Sequence, residues 1–456
     1  MSKFEKNLSE GSVFKNLIVF AFPFFISSII QSLYNIADML IVGQFCGPAS
    51  MTGVNIGGQV TFILTNIVVG FCVGASVLIG HYIGSGDKDS MKKATSTLLT
   101  LLAIIAFVIT IVMLIFKDRV LHLIRTPQEA YAESSVYLTV TVIGIIFIFG
   151  YNALSAILRG MGDSKHPFYF VLIACVTNIV LDLIFVAVFK WAAFGAALAT
   201  VISQTLSMFL CIWFMIKNKF LFDFKLSSFK IDKEQFKRIF NIGLPTCVQN
   251  GVTSMSFLFI TGVVNSFNNV IVSAAVGAAG KMFSFVILPM IAIGTSVATV
   301  SAQNFGAGKI SRAAKACRSG IFISMILSYV LFIVLLIIPS PLMRMFSSDA
   351  EVIRNGVTYI RSSSFDFLIV PFVFCLNNLY IGGGHTKFTL FSSLISSILL
   401  RVPVSYILGK FTSLGLIGVG LGAPAASFGG LVILLIFLLT GKWKKPILHE
   451  FNIVEQ

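Results

Sequence analysis

Twelve separated stretches of this chain are long and apolar enough to cross a lipid bilayer, and nothing else constrains its fold as strongly. A helix needs about 20 apolar residues to span the hydrocarbon. Such runs lie near 14–42, 52–83, 91–116, 133–157, 167–189, 192–216, 239–266, 270–302, 313–338, 355–380, 388–409 and 414–440. In lipid, each backbone N–H and C=O must find its partner inside the protein, so runs of this length must be helices. Composition agrees: 57% of the 456 residues are hydrophobic and 11% charged, against about 45–50% and about 25% in soluble domains. The expectation is an all-α integral membrane protein, multi-pass in the cell inner (plasma) membrane.

A net charge of +15 raises the question of nucleic acid, and the placement of the charge answers it. With the N-terminus inside, and charges in the first six residues of a span counted with the adjoining loop, the cytoplasmic segments hold 23 of the 33 Lys and Arg, the outer loops 7, and the spans 3. That asymmetry orients a membrane protein and needs no nucleic-acid partner. Both termini are then cytoplasmic. The seven cysteines are scattered, without a C-x-x-C pair, and read as small core residues. The first apolar run is too long for a signal peptide and is read as a retained span. The five histidines lie near span ends or in loops, so no metal site is expected.

The chain also repeats itself. Pro23 and Pro245 lie 222 residues apart, and the same offset carries Gly84 and Gly86 onto Gly306 and Gly308. It carries Lys93 and Ala94 onto Lys315 and Ala316, and Gly160, Gly162 and Lys165 onto Gly382, Gly384 and Lys387. One register across three separated loops implies two related halves. Six spans per half make both halves enter from the same side, so the pseudo-two-fold axis runs along the membrane normal. The expected units are an N-terminal six-helix bundle (1–216), a basic cytoplasmic linker (217–238) and a C-terminal six-helix bundle (239–456).

These motifs resemble the multidrug and toxic compound extrusion (MATE) family, bacterial type, over nearly the whole chain. The likeness rests on Pro23 in the first helix followed by Asp38 in YNIADMLIVG, the paired G-x-G loops, LRGMGDSKHP after span four and FGAALATVIS in span six. A major-facilitator carrier would also have twelve spans in two halves. Its arginine-rich segment between spans two and three is missing, for that loop reads GHYIGSGDKDSMKKA.

Of 18 acidic residues, Asp38, Asp182 and Asp366 fall deep within spans, where a charge costs a few kcal/mol or more. Asp38 lies near the outer end of span one. Asp182 and Thr200 each lie about eight residues from an outer span end, about 12 Å along a helix. Asn178 sits one turn below Asp182 on the same face. These four oxygen-bearing side chains can meet in the outer half of the bilayer, with Asn152 of span four as a deeper candidate. No Lys or Arg in that half is deep enough to neutralise them. Two unpaired carboxylates in a low-dielectric pocket cannot both stay ionised, so the pocket can take protons, or sodium through its oxygens. The resemblance implies the same, since MATE transporters couple export to proton or sodium entry through carboxylates at these motif positions. Packing alone is the competing reading of Asn178 and Asp182.

In the C-terminal half the deep charges are Asp366, Lys281 and Arg401. Span seven offers Gln249, Asn250 and Thr253 but no acid, which speaks against the second coupling site of some MATE branches. Asp366 is expected to pair with Arg401 or Lys281; alternatively the cations contact an anionic substrate group. Pro23 is either a hinge or a static kink.

The function expected is secondary active antiport: an organic, cationic and amphipathic compound leaves in exchange for protons or sodium, by alternating access of the two bundles. The alternative is a lipid-linked saccharide flippase of related fold. No enzyme activity, cofactor or nucleotide is expected, since no G-x-x-x-x-G-K-[ST] loop is present. The expected partners are a small-molecule substrate and the bilayer, with the chain as a monomer.

Overall fold

A computed structural model describes residues 6–446, and among them the regular structure is entirely helical. Among the described residues, nine unbroken helices are long and apolar enough to span a membrane. They are α1 (Val13–Cys46), α2 (Pro48–Ser85), α3 (Lys88–Leu123), α5 (Lys165–Val188), α6 (Ala192–Lys217), α7 (Lys233–Asn265), α9 (Ile310–Ile337), α11 (Thr386–Lys410) and α12 (Leu416–Thr440). Three further spans are bent pairs: α4 (Gln128–Ile143 with Ile145–Gly160, 52°), α8 (Val270–Val286 with Leu288–Gly306, 40°) and α10 (Ala350–Leu368 with Val370–Gly382, 49°). Twelve spans result, as the hydropathy requires. The faces that do not pack are apolar: Phe62, Phe107, Ile115 and Leu258 are all more than 60% exposed, an arrangement suited to lipid rather than water.

The repeat has a backbone cause. Gly86 and Gly308 have φ of +77° and +70°, and Gly162 and Gly384 have φ of +86° and +83°. In this left-handed region a side chain costs about 1–2 kcal/mol, which explains glycine at both copies. Gly160 and Gly382 are retained for a different reason. A Cβ on Gly160 would stand 2.6 Å from the Ser76 carbonyl oxygen, and one on Gly382 would stand 2.7 Å from that of Ala298. Ser76 and Ala298 are themselves 222 residues apart, so the same helix-to-helix approach is built twice.

Packing divides the chain into two units at boundaries other than those expected from sequence. Among the described residues, the first holds Phe22–Gly243 with Lys6 and Asn7, and the second holds Leu8–Ala21 with Leu244 to Pro446. The start of α1 joins the second unit because Leu8, Val13, Leu17 and Phe20 are buried in one apolar cluster with Val297, Val300 and Tyr380. The Leu8 N–H also donates to Gln303 Oε1 at 2.9 Å. The basic stretch 217–238 is correspondingly no free tether. Ser96 Oγ donates to the carbonyls of Ser228 (2.6 Å) and Lys230 (2.8 Å), and the Asp232 N–H donates to Thr97 Oγ1 at 3.0 Å. Phe222 is 1% exposed, and Tyr82 Oη contacts both Gln235 and Arg238 of α7. The stretch is therefore part of the first unit.

Candidate functional site

Within the first unit, α1, α4, α5 and α6 bring polar side chains to one buried place. Asp38 lies eight residues before the end of α1, about 12 Å along the axis. It is 6% exposed, and Asp182 and Asn178 of α5 are 0% and 1% exposed. The two carboxyl groups lie within hydrogen-bonding reach of one another. Asp182 is the last regular α-helical residue of its span, for Leu183–Val188 winds as a π-helix. Such wide turns accompany functional sites often enough to be informative.

Among the described residues, no Lys, Arg or His nitrogen comes within 4.0 Å of either carboxylate. Asp38 Oδ1, both oxygens of Asp182 and Asn178 Oδ1 are buried without a donor. Four acceptor oxygens thus converge where nothing supplies a positive charge or an N–H. A buried carboxylate left in that state costs several kcal/mol, and the usual remedy is a proton or a bound cation. Asn178 Nδ2 reaches Thr200 Oγ1 at 3.5 Å, and the hydroxyl of Tyr137 from α4 stands beside the same threonine. The Ala193 N–H, in the first turn of α6, donates to Glu133 Oε2 of α4 at 3.0 Å, which locks the start of the helix carrying Thr200.

The structure therefore assembles Asp38, Asn178, Asp182 and Thr200 as the sequence leads one to expect. Asn152 forms no hydrogen bond with them among the described residues; its Nδ2 donates to the Ile148 carbonyl of its own helix at 2.8 Å. Sequence reasoning missed two tyrosines. Tyr34 precedes Asp38 by one turn and lies near both carboxylates, as does Tyr137. The i, i+4 spacing of Tyr34 and Asp38 was available as a signal. For Tyr137 the available signal was Tyr359, one repeat offset along. A cleft lined by Gln31, Tyr34, Ala174, Cys175, Asn178 and Ser203 opens beside the site.

In the second unit the expected ion pair is not formed. Among the described residues, Asp366 has no cationic nitrogen within 4.0 Å. Lys281 is exposed and lies on a separate helix from Arg401. The Arg401 guanidinium instead covers the Phe257 ring at 4.0 Å. The separation follows from geometry, since Asp366 sits in the 3-10 turn Phe365–Leu368 at the bend of α10 and Arg401 ends the π-helical turn Ile395–Arg401 of α11. Gln249 is fully engaged, donating to Ser393 Oγ at 2.8 Å and accepting from Thr389 Oγ1 at 3.2 Å. It ties α7 to α11.

A family model described as MatE matches residues 23–184 and again residues 245–407. This chain belongs to the MATE family. The two matches begin at Pro23 and Pro245, the first pair of the internal repeat. The MATE chain is 27% identical over 444 residues to a protein described as "Probable multidrug resistance protein YoeA" of Bacillus subtilis (strain 168), covering 96% of each. It is 25% identical to a MOP superfamily transporter from Pyrococcus furiosus Vc1, with a TM-score of 0.89 over 97% of this chain and 98% of the other. A structure of MATE in the bent conformation superposes with a TM-score of 0.90, 24% identity and coverage of 99% and 100%. The chain is a multi-pass membrane transporter with the fold of these structures.

Proposed function

We propose that this MATE transporter is a secondary active antiporter that exports small organic compounds, amphipathic cations among them, in exchange for protons or sodium ions. The names of its relatives support drug export, and one observation carries the coupling: Asp38 and Asp182 in contact, buried, with no cation beside them. A carboxyl pair in that state is completed by one positive charge. The contact itself favours the proton, because one proton between two carboxyls turns a repulsion into a hydrogen bond. Sodium would draw instead on Asn178 Oδ1 and the Thr200 hydroxyl, an oxygen set suited to a hard cation.

Coupling requires the ion to favour the conformation that holds substrate weakly, since only differential affinity shifts an equilibrium. Each inward charge gains about 2.3 kcal/mol per 100 mV, equivalent to about a fiftyfold substrate gradient. In this reading the protein works as a monomer by alternating access in the plasma membrane, with both termini cytoplasmic. The deciding experiment is dye efflux from proteoliposomes under separately imposed proton and sodium gradients. Efflux under one gradient, lost in Asp38→Asn, is expected. Efflux indifferent to both gradients overturns the antiport reading.

A further inference from the structure

The second unit carries a charged site of its own, and its place follows from the repeat. The 222-residue offset takes Tyr137, beside the carboxyl pair, onto Tyr359, which lies near both Arg401 and Asp366. It takes Asp38 onto Ile260 and Asp182 onto Val404, so the acids of the first unit are apolar in the second. In their stead Arg401 stands at the level of Ile179, between Asn178 and Asp182. The bend of α4 at Gly144 maps onto Asp366, at the bend of α10. The second unit thus keeps the architecture of the first site and reverses the charge on its fifth helix.

Arg401 lies nine residues from the end of α11 at Lys410, about 14 Å along the helix, within the hydrocarbon layer. Its guanidinium carbon stands 4.0 Å over the Phe257 ring, a contact that uses none of the N–H groups as donors to oxygen. Those N–H groups meet no acceptor among the described residues, and the side chain is only partly buried. Nearby, Asp366 Oδ1 is buried without a donor. Ser427 stands beside the Asp366 carboxyl, and Ser363 Oγ of the same helix is buried beside the Tyr359 hydroxyl. Two opposite charges thus stand too far apart to bond, and each lacks what the other would supply. An arginine at this depth is costly to keep unless its charge is met, so an acceptor is needed to complete it.

We propose that the second unit holds a binding site for a carboxylate-bearing organic zwitterion, with Arg401 taking the carboxylate and Asp366 the protonated amine. The guanidinium edge offers two parallel N–H donors, the geometry that matches a carboxylate. Phe257 holds the fork flat and ready, and the gap between the charges is filled by the ligand's own framework. This site is separate from the carboxyl pair of the first unit and involves none of its residues.

The test is equilibrium binding to the purified full-length protein in detergent, with no gradient, so that failure of ion coupling does not affect the result. The probes are 4-(aminomethyl)benzoate, its methyl ester and benzoate. Wild type is expected to bind the zwitterion about tenfold or more tightly than either of the others, a preference of about 1.4 kcal/mol. Arg401→Gln should abolish the preference over the ester, and Asp366→Asn the preference over benzoate. Arg401→Lys, which keeps the charge and loses the fork, should retain part of it and serves if the glutamine variant does not fold. Equal affinity of wild type for acid and ester, no measurable binding of the zwitterion, or an undiminished preference in a folded Arg401 variant overturns the proposal.

Discussion

Pro23 and Pro245 each lie within two residues of the point where a continuous helix leaves one packing unit and enters the other. In α1 that passage falls between Ala21 and Phe22, and in α7 between Gly243 and Leu244. A proline inside a helix removes one backbone hydrogen bond and crowds the preceding turn. The Ser27 hydroxyl donates to the Pro23 carbonyl at 2.8 Å, so the local backbone is held by a side chain that can let go. The softest turn of α1 is therefore where its packing partner changes.

Replacing Pro23 by Ala restores a regular helix at that turn. Ion affinity should stay nearly unchanged, because Pro23 is fifteen residues, about 22 Å, from Asp38. Export per folded molecule should fall by about tenfold, equivalent to about 1.4 kcal/mol in the barrier. Ion binding, efflux and melting temperature measured on one purified preparation decide it; normal efflux sinks the hinge.

Asp38→Asn and Asp182→Asn should each reduce gradient-driven export to background while the protein still inserts and folds. Breaking a buried ion pair costs about 3–5 kcal/mol because it strands a charge. Here no cation is present to be stranded, so melting temperatures should change little. A mutant that exports dye at the wild-type rate under a gradient removes that residue from the coupling site.

Tyr137→Phe deletes the hydroxyl that stands beside Thr200, where the two can hydrogen-bond, and leaves the ring packed on Gly57, where a Cβ would stand 2.6 Å from Tyr137 Cδ1. A hydrogen bond of this kind contributes about 0.5–1.5 kcal/mol. Coupling-ion affinity should weaken about twofold to tenfold with little effect on folding. Titration of ion binding in the purified variant gives the number, and an unchanged affinity would leave Tyr137 a packing residue.

Gly160→Ala should destabilise the first unit by about 1–3 kcal/mol, since overpacking against a backbone carbonyl has no flexible neighbour to relieve it. Gly251→Ala is the matched control: it is also helical, and nothing stands within 4 Å of its Cβ position. There alanine should be neutral or stabilising by up to about 1 kcal/mol. Thermal unfolding of both variants tests the contrast. Equal melting temperatures would mean that the α2–α4 approach relaxes freely.

How much was legible in the chain depended on whether the physics was local. Span number, helical fold and repeat could be read directly, because hydrocarbon thickness sets run length and left-handed turns demand glycine at Gly86, Gly162 and their copies. Asp38, Asn178, Asp182 and Thr200 could be gathered by depth, since each helix rises by a constant amount per residue. Depth says nothing of azimuth or of bends. Only the tertiary structure decided that Asn152 turns to its own helix, that Tyr34 and Tyr137 complete the site, and that Asp366 and Arg401 stand apart. Those outcomes depend on a bend in α10, a π-helical turn in α11 and helix rotation, each set by packing between distant segments. The same reason moved Leu8–Ala21 into the second unit: hydrophobicity shows that these residues must be buried, and only the assembled core shows against what.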